Sequence, residues 1–186
     1  MLSKILKSER FFFQLYKVDK EIAEEYRNKK CKHCGGPLHY ANYQRQPRGD
    51  MVNLPEKYRT RFSLCCGNEG CRRRTMPPSC RFSGRKIYWY AFILIIMTLL
   101  SDGSSVYKLC NEYKIYRCTI NRWASFFKKI FPYSKQWQRI RGQIHPTVTN
   151  NNLPASLLNY FINLKSSSEE ALLSCLKLLS KGQSTT

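Results

Sequence analysis

The sequence predicts an α+β protein, mostly α: an N-terminal helix, a cysteine-rich ribbon of short β-strands, three helices in helix-turn-helix order, and short C-terminal helices. Three observations predict it. Residues 3–28 contain no Pro or Gly and repeat apolar side chains at intervals of three and four, as one helical face requires. Residues 31–84 lose that period and become rich in Cys, Gly, Pro and Arg, the composition of short strands and tight turns. From residue 85 helical patterning returns in several short segments. Four regions follow: residues 1–30, 31–84, 85–146 and 147–186.

In the first region Phe12, Leu15, Tyr16, Asp19, Ile22, Ala23 and Tyr26 form a mixed apolar stripe. Asp19, Glu21, Glu24 and Glu25 are four of the chain's 12 acids, which suits a packing or docking helix. In the second region, residues 39–44 and 58–65 read as strands, and Gln46-Pro47-Arg48-Gly49-Asp50 as a loop. Residues 85–100 read as a helix. Its apolar run, IYWYAFILIIMTLL, falls short of the ~20 residues that span a bilayer, so it is expected in a core. Helices are expected at 104–113 and at 119–131, the latter stopped by Pro132. Residues 149–154 look like a linker. Two short helices, 155–164 and 168–179, follow; the second opens on the capping-box-like Ser167-x-x-Glu170. The tail from Gly182 is expected to fray.

Charge narrows the class of partner. Lys and Arg outnumber Asp and Glu by 32 to 12, a formal charge of +20. Such an excess repels itself unless a polyanion compensates it, and phosphates neutralised by Lys and Arg release counterions on binding. Double-stranded DNA is therefore the expected partner. The hydrophobic content of 42% and aromatic content of 13% exclude a disordered chain. No membrane role is expected.

Nine cysteines are an odd number for a disulfide scaffold, and four of them sit at metal-ligand spacing. Cys31-Lys32-His33-Cys34-Gly35-Gly36 is a knuckle in which two thiolates can chelate one ion from a tight turn. Leu64-Cys65-Cys66-Gly67-Asn68-Glu69-Gly70-Cys71 supplies a second pair. Adjacent strand residues face opposite sides, so one of Cys65 and Cys66 ligates and the other packs. The reading favours Cys66 with Cys71. Cys31, Cys34, Cys66 and Cys71 would then form a closed tetrahedral set for structural Zn2+, making this region a zinc ribbon. His33 and His39 are alternative ligands. Cys80, Cys110, Cys118 and Cys175 are isolated and expected as packed thiols. With no signal-peptide hydrophobic run after Met1-Leu2-Ser3-Lys4, a reducing cytoplasmic, nucleoid-associated location is expected.

The helices after residue 85 fit a trihelical helix-turn-helix. Ser104 or Ser105 would cap the second helix, with Val106, Leu109 and Cys110 inward. A turn through Lys114-Ile115-Tyr116 leads to the third, whose N-terminal end carries Arg117, Thr119, Asn121 and Arg122, where a recognition helix meets base edges. Arg and Asn read guanine and adenine by paired hydrogen bonds. Ile120, Trp123, Phe127 and Ile130 would pack inward, leaving Lys128 and Lys129 for phosphate. Between Tyr113 and Ser168 there is no Asp or Glu. A second basic stripe, Arg72, Arg73, Arg74, Arg81 and Arg85, joins ribbon to helices beside Pro77-Pro78 and is expected along a phosphate backbone.

The order Cys31-x-x-Cys34-Gly35-Gly36, then Arg61-Phe62-Ser63-Leu64-Cys65-Cys66-x4-Cys71-Arg72-x-Arg74-x-x-Pro77-Pro78-Ser79, then Arg81-Phe82-x-Gly84-Arg85, resembles small zinc-ribbon/helix-turn-helix proteins of bacterial mobile elements. These are related to the DNA-binding N-terminal parts of transposases. The resemblance covers roughly residues 10 to 140, and implies a prokaryotic or mobile-element origin with DNA as ligand.

Catalysis is not expected. Two-metal nucleotidyl transfer needs several convergent carboxylates, and past Asp102 and Glu112 the only acids are the adjacent Glu169 and Glu170. The expected function is a DNA-binding site-recognition or accessory subunit of a transposition or recombination system. Alternatives are an RNA-binding or ribonucleoprotein component, or a protein-interaction adaptor or transcriptional regulator. The N-terminal and C-terminal helices would bind partner subunits.

Overall fold

The computed structural model describes residues 2–50, 52–84 and 86–183. The fold is α+β and mostly helical, with two small antiparallel sheets inserted after the second helix. Helices α1 (Leu2–Ile5) and α2 (Glu9–Asn28) replace the single helix expected over 3–28. The break falls at Ser8, whose Oγ accepts a hydrogen bond from the Phe11 N–H at 3.2 Å. A serine in that position satisfies an orphan donor of a helix start, so a new helix begins there. Helix α2 turns Phe11, Phe12, Leu15, Asp19 and Ala23 inward and leaves Glu21 and Glu25 exposed.

The ribbon is built on β1 (Leu38–Tyr40), β2 (Tyr43–Gln44), β3 (Thr60–Arg61), β4 (Leu64–Cys66) and β5 (Arg74–Thr75). Strand β4 lies between β1 and β5, with Leu38 opposite Cys66 and Leu64 opposite Thr75. Strands β2 and β3 continue the β1–β4 hairpin after an interruption. Asn42 spans that gap, its Oδ1 accepting from the Ser63 N–H at 3.1 Å. Leu38, Leu64, Cys31 and Cys66 form a small buried cluster separate from the main core.

Residues 86–89 do not join the next helix. Tyr88 bridges Arg48 and Trp89 bridges Phe82, so the chain is extended until α3 (Tyr90–Ser101) begins. Every residue of α3 from Tyr90 to Thr98 is buried, as its continuous apolar run requires. Around it lie α4 (Val106–Tyr113), α5 (Arg117–Lys129), α6 (Lys135–Arg141), α7 (Ala155–Leu164) and α8 (Ser168–Lys181). Helix α3 packs on α4, α5, α7 and α8, and α8 also packs on α1, α6 and α7. One contiguous core runs from Ile5 through Trp89, Trp123 and Trp137 to Leu179.

Local chemistry sets the helix starts. Ser105 Oγ accepts from the Lys108 N–H, Ser134 Oγ from Trp137 and Ser167 Oγ from Glu170, each at 3.2 Å. Residues 149–154, expected as a linker, are held down by tertiary hydrogen bonds. Trp137 Nε1 donates to Asn150 Oδ1 at 3.0 Å, and Ser101 Oγ to Asn152 Oδ1 at 2.6 Å. Gln183, expected to fray, grips the Ser79 backbone in both directions, at 3.0 and 2.9 Å. No helix among the described residues is long and apolar enough to cross a membrane.

Candidate metal centre and basic surface

Cys31, Cys34, Cys66 and Cys71 converge, with all four sulfurs within 4.8 Å of one another. Cys31 and Cys71 sulfurs are 3.8 Å apart, and those of Cys34 and Cys66 are 3.4 Å apart. A tetrahedral ion with metal–sulfur bonds of ~2.3 Å needs sulfurs about 3.8 Å apart. The donor set therefore fits a four-coordinate thiophilic cation such as zinc, and a closed sphere leaves no position for substrate water.

Each half of the site is a turn the local sequence dictates. In the first, the Gly35 N–H donates to Cys31 O at 2.8 Å and the Cys31 N–H to Gly36 O at 2.9 Å. Gly35 sits at φ +69°, a conformation glycine adopts without penalty. A Cβ on Gly36 would strike the Asn68 side chain at 2.6 Å. The missing side chain lets the two turns approach, and Asn68 Nδ2 donates to Cys34 Sγ at 3.5 Å. In the second turn, the Cys71 N–H donates to Asn68 O and the Cys66 N–H to Arg73 O, both at 3.0 Å.

Strand alternation lets only one of the two neighbouring cysteines face the site. Cys66 points into the cluster, whereas Cys65 points away and lies 3.4 Å from Arg72 O. His33 and His39 stand outside the cluster; His33 Nδ1 lies 3.0 Å from an Arg73 guanidinium nitrogen. Of the four other cysteines, Cys80 and Cys175 are buried and Cys110 is half-buried, but Cys118 is exposed on α5 and is no packed thiol.

The thiols cannot all ionise by themselves. Backbone N–H groups of His33 and Cys34 hold Cys31 down to about 7. The Asn68 N–H also favours a Cys66 thiolate, but burial and the adjoining sulfurs of Cys34, Cys31 and Cys71 outweigh it and push Cys66 up to about 12. Four thiolates this close repel one another, and a divalent cation removes that repulsion.

The expected DNA contacts divide sharply by exposure. Arg72, Arg73 and Arg74 are exposed at the second turn and β5. Arg81 is not. It is fully buried, its Nε 2.8 Å from Asp19 Oδ2, with its guanidinium about 5 Å from the Tyr16, Phe62 and Phe82 rings. Pairing with a buried carboxylate withdraws it from any phosphate, and Arg81 is removed from the binding surface. Arg85 lies outside the described residues. On α5, Arg117, Asn121, Arg122, Lys128 and Lys129 are exposed and Thr119 is half-buried, opposite the buried Ile120, Trp123 and Phe127. Ile130, expected inward, is 57% exposed.

One cation beside α5 escaped the sequence reading. Arg48 is brought there because its N–H donates to Ile87 O at 2.8 Å and its carbonyl accepts from Trp89. A Cβ on the following Gly49 would collide with the Phe92 ring, so the Pro-Arg-Gly turn owes its close approach to α3 to that glycine. In the sequence its trace is the turn signal Pro47-Arg48-Gly49.

Fold and site together define a chain with a four-thiol cluster able to hold a metal ion, set in short strands and joined to a mostly helical body. No family description, curated protein or solved structure matches it.

Proposed function

We propose that the protein binds double-stranded DNA through the exposed face of α5, with structural zinc in the four-cysteine ribbon. It would serve as a site-recognition or accessory subunit of a mobile-element transposition or recombination system. The observation that carries this reading is the cationic face of α5 in a segment that has no carboxylate between Tyr113 and Ser168. The net charge of +20 is what remains after all 12 acids are set against the 32 Lys and Arg, so this excess has no counter-charge within the chain. Nucleic acid supplies the missing anion. The α4–α5 connection supports the reading too: Lys114 closes α4 in the left-handed conformation, Ile115 plugs the core, and α5 starts at Arg117. Two short helices joined in this way place the second for groove docking. The exposed Arg72–Arg74 turn, ordered by the metal, would add phosphate contacts. We read the role as binding and assign no catalytic residue.

The test is selection of bound sequences from a random duplex pool by the metal-loaded protein, with Arg122→Ala and Lys128→Ala as variants. A recovered motif is expected. Arg122→Ala should cost roughly 1–3 kcal/mol and relax one base position, and Lys128→Ala should weaken all duplexes and lower the salt slope by about one. Unchanged affinity in both variants, or equal binding of structured RNA, would overturn the assignment.

A further inference from the structure

A cleft of about 620 Å³ lies between α5, from Tyr116 before its start to Ile130 at its end, and the extended segment around Tyr88. Among the described residues its cations are Arg48, Lys86 and Arg122, and no carboxylate lines it. Its exposed apolar surface comes from Ile87, Tyr116 and Ile130, above the buried Trp123 and the half-buried Phe126. The rim is unusual for a surface that only meets water. Ile87 is 54% exposed, Ile130 57% and Tyr116 72%, each beside a cation. Lys86 lies across the Phe126 ring, its Nζ 3.7 Å from the centroid, and no carboxylate pairs with it among the described residues.

This combination is more than phosphate binding needs, because phosphate uses cations and hydroxyls but no aromatic or aliphatic walls. An apolar peptide side chain would use the walls but not three cations. A nucleotide uses both: its phosphate meets the cations and its base packs flat against apolar faces. The volume is in the range that holds a small ligand. A base inside a duplex cannot reach a concave wall without leaving its stack. We infer that this cleft holds one unpaired nucleotide of a DNA strand, so that the protein recognises a junction of duplex and single strand. The inference rests on the proposed DNA-binding role and adds the class of DNA end or distortion engaged.

The experiment measures affinity of the metal-loaded full chain for four probes: a blunt duplex, the same duplex with a short single-stranded overhang, the overhang made abasic, and free dAMP as competitor. Proteins compared are the wild type, Lys86→Gln and Ile87→Ser; Ile87 is exposed enough for its replacement to leave folding intact. The overhang is expected to tighten binding about tenfold, the value of one good base contact. That advantage should vanish with the abasic overhang and in both variants. Blunt and overhanging duplexes bound equally well would overturn the cleft assignment while leaving duplex binding in place. An abasic overhang as good as the normal one would reduce the cleft to a phosphate site and overturn it. Displacement of the overhang by dAMP at matched concentration would make a free nucleotide the ligand and also overturn it. Failure of every DNA probe to bind would instead sink the DNA-binding role itself.

Discussion

Asp19 on α2 and Arg81, in the segment linking ribbon to helices, are joined by a 2.8 Å contact, and neither side chain is exposed. Asp19 also accepts from the Ser79 hydroxyl and from the Cys80 N–H, so one carboxylate organises three successive residues. The pair is the joint between the acidic helix and the basic linker.

Removing one partner leaves the other charge buried and alone. Asp19→Ala is expected to destabilise the fold by roughly 3–5 kcal/mol; the double replacement Asp19→Leu with Arg81→Met removes the stranded charge and should cost less, but still about 1–3 kcal/mol because the Ser79 hydroxyl and the Cys80 N–H lose their acceptor. Denaturant unfolding of the two variants measures this. A loss below about 1 kcal/mol for Asp19→Ala would mean that the pair does not hold the joint.

The ribbon and the helical body have separate apolar clusters, so metal removal should act locally. Chelation is expected to deprotect amides of β1, β4 and β5 in hydrogen exchange and to leave α3 protected. Cys66→Ser should abolish four-thiolate cobalt absorption and Cys65→Ser should retain it. The opposite pattern would exchange the two cysteines' roles.

Gly36 lets the turns meet at Asn68. Gly36→Ala should displace the Asn68 amide from Cys34 and lower metal affinity by about 10–100-fold, the usual effect of losing an outer-shell partner. Gly70→Ala, where an added Cβ meets nothing, is the control and should bind normally. Competition with a chromophoric chelator reads both.

Burial pulls Lys86 down to about 8, against 10.5 for an unhindered lysine. The phosphate binds the protonated form. Affinity for an overhanging duplex should therefore be flat below pH 8 and fall above it, by up to about tenfold per pH unit for one proton lost. Lys86→Gln should flatten the profile between pH 8 and 9. A wild-type profile flat to pH 9.5 would place Lys86 outside the contact.

Features set by neighbours in sequence were legible before the structure. The two knuckles could be read because ligand spacing and turn glycines lie within a few residues; strand alternation allowed only one of Cys65 and Cys66 as a ligand, and the fold turns Cys66 to the site. Helices α7 and α8, and the cap at Ser167, followed from local pattern in the same way. The α2 start was missed because the Ser8 cap lies inside an otherwise unbroken helical stretch. The α3 start was missed because Tyr88 and Trp89 are claimed by Arg48 and Phe82, partners distant or irregular in sequence.

Short windows of sequence carried the two cysteine pairs, the mostly helical class and the amphipathic face of α5, since periodicity and spacing are local properties. Which cations reach solvent was settled by contacts between residues far apart in the chain. Arg81 sits in the same basic stripe as Arg72–Arg74, yet a carboxylate from α2 takes it into the core, while a turn near Gly49 carries Arg48 to the edge of α5. Exposure of a charge depends on which distant residue meets it, because burying it is tolerable only when paired; that meeting is a product of folding.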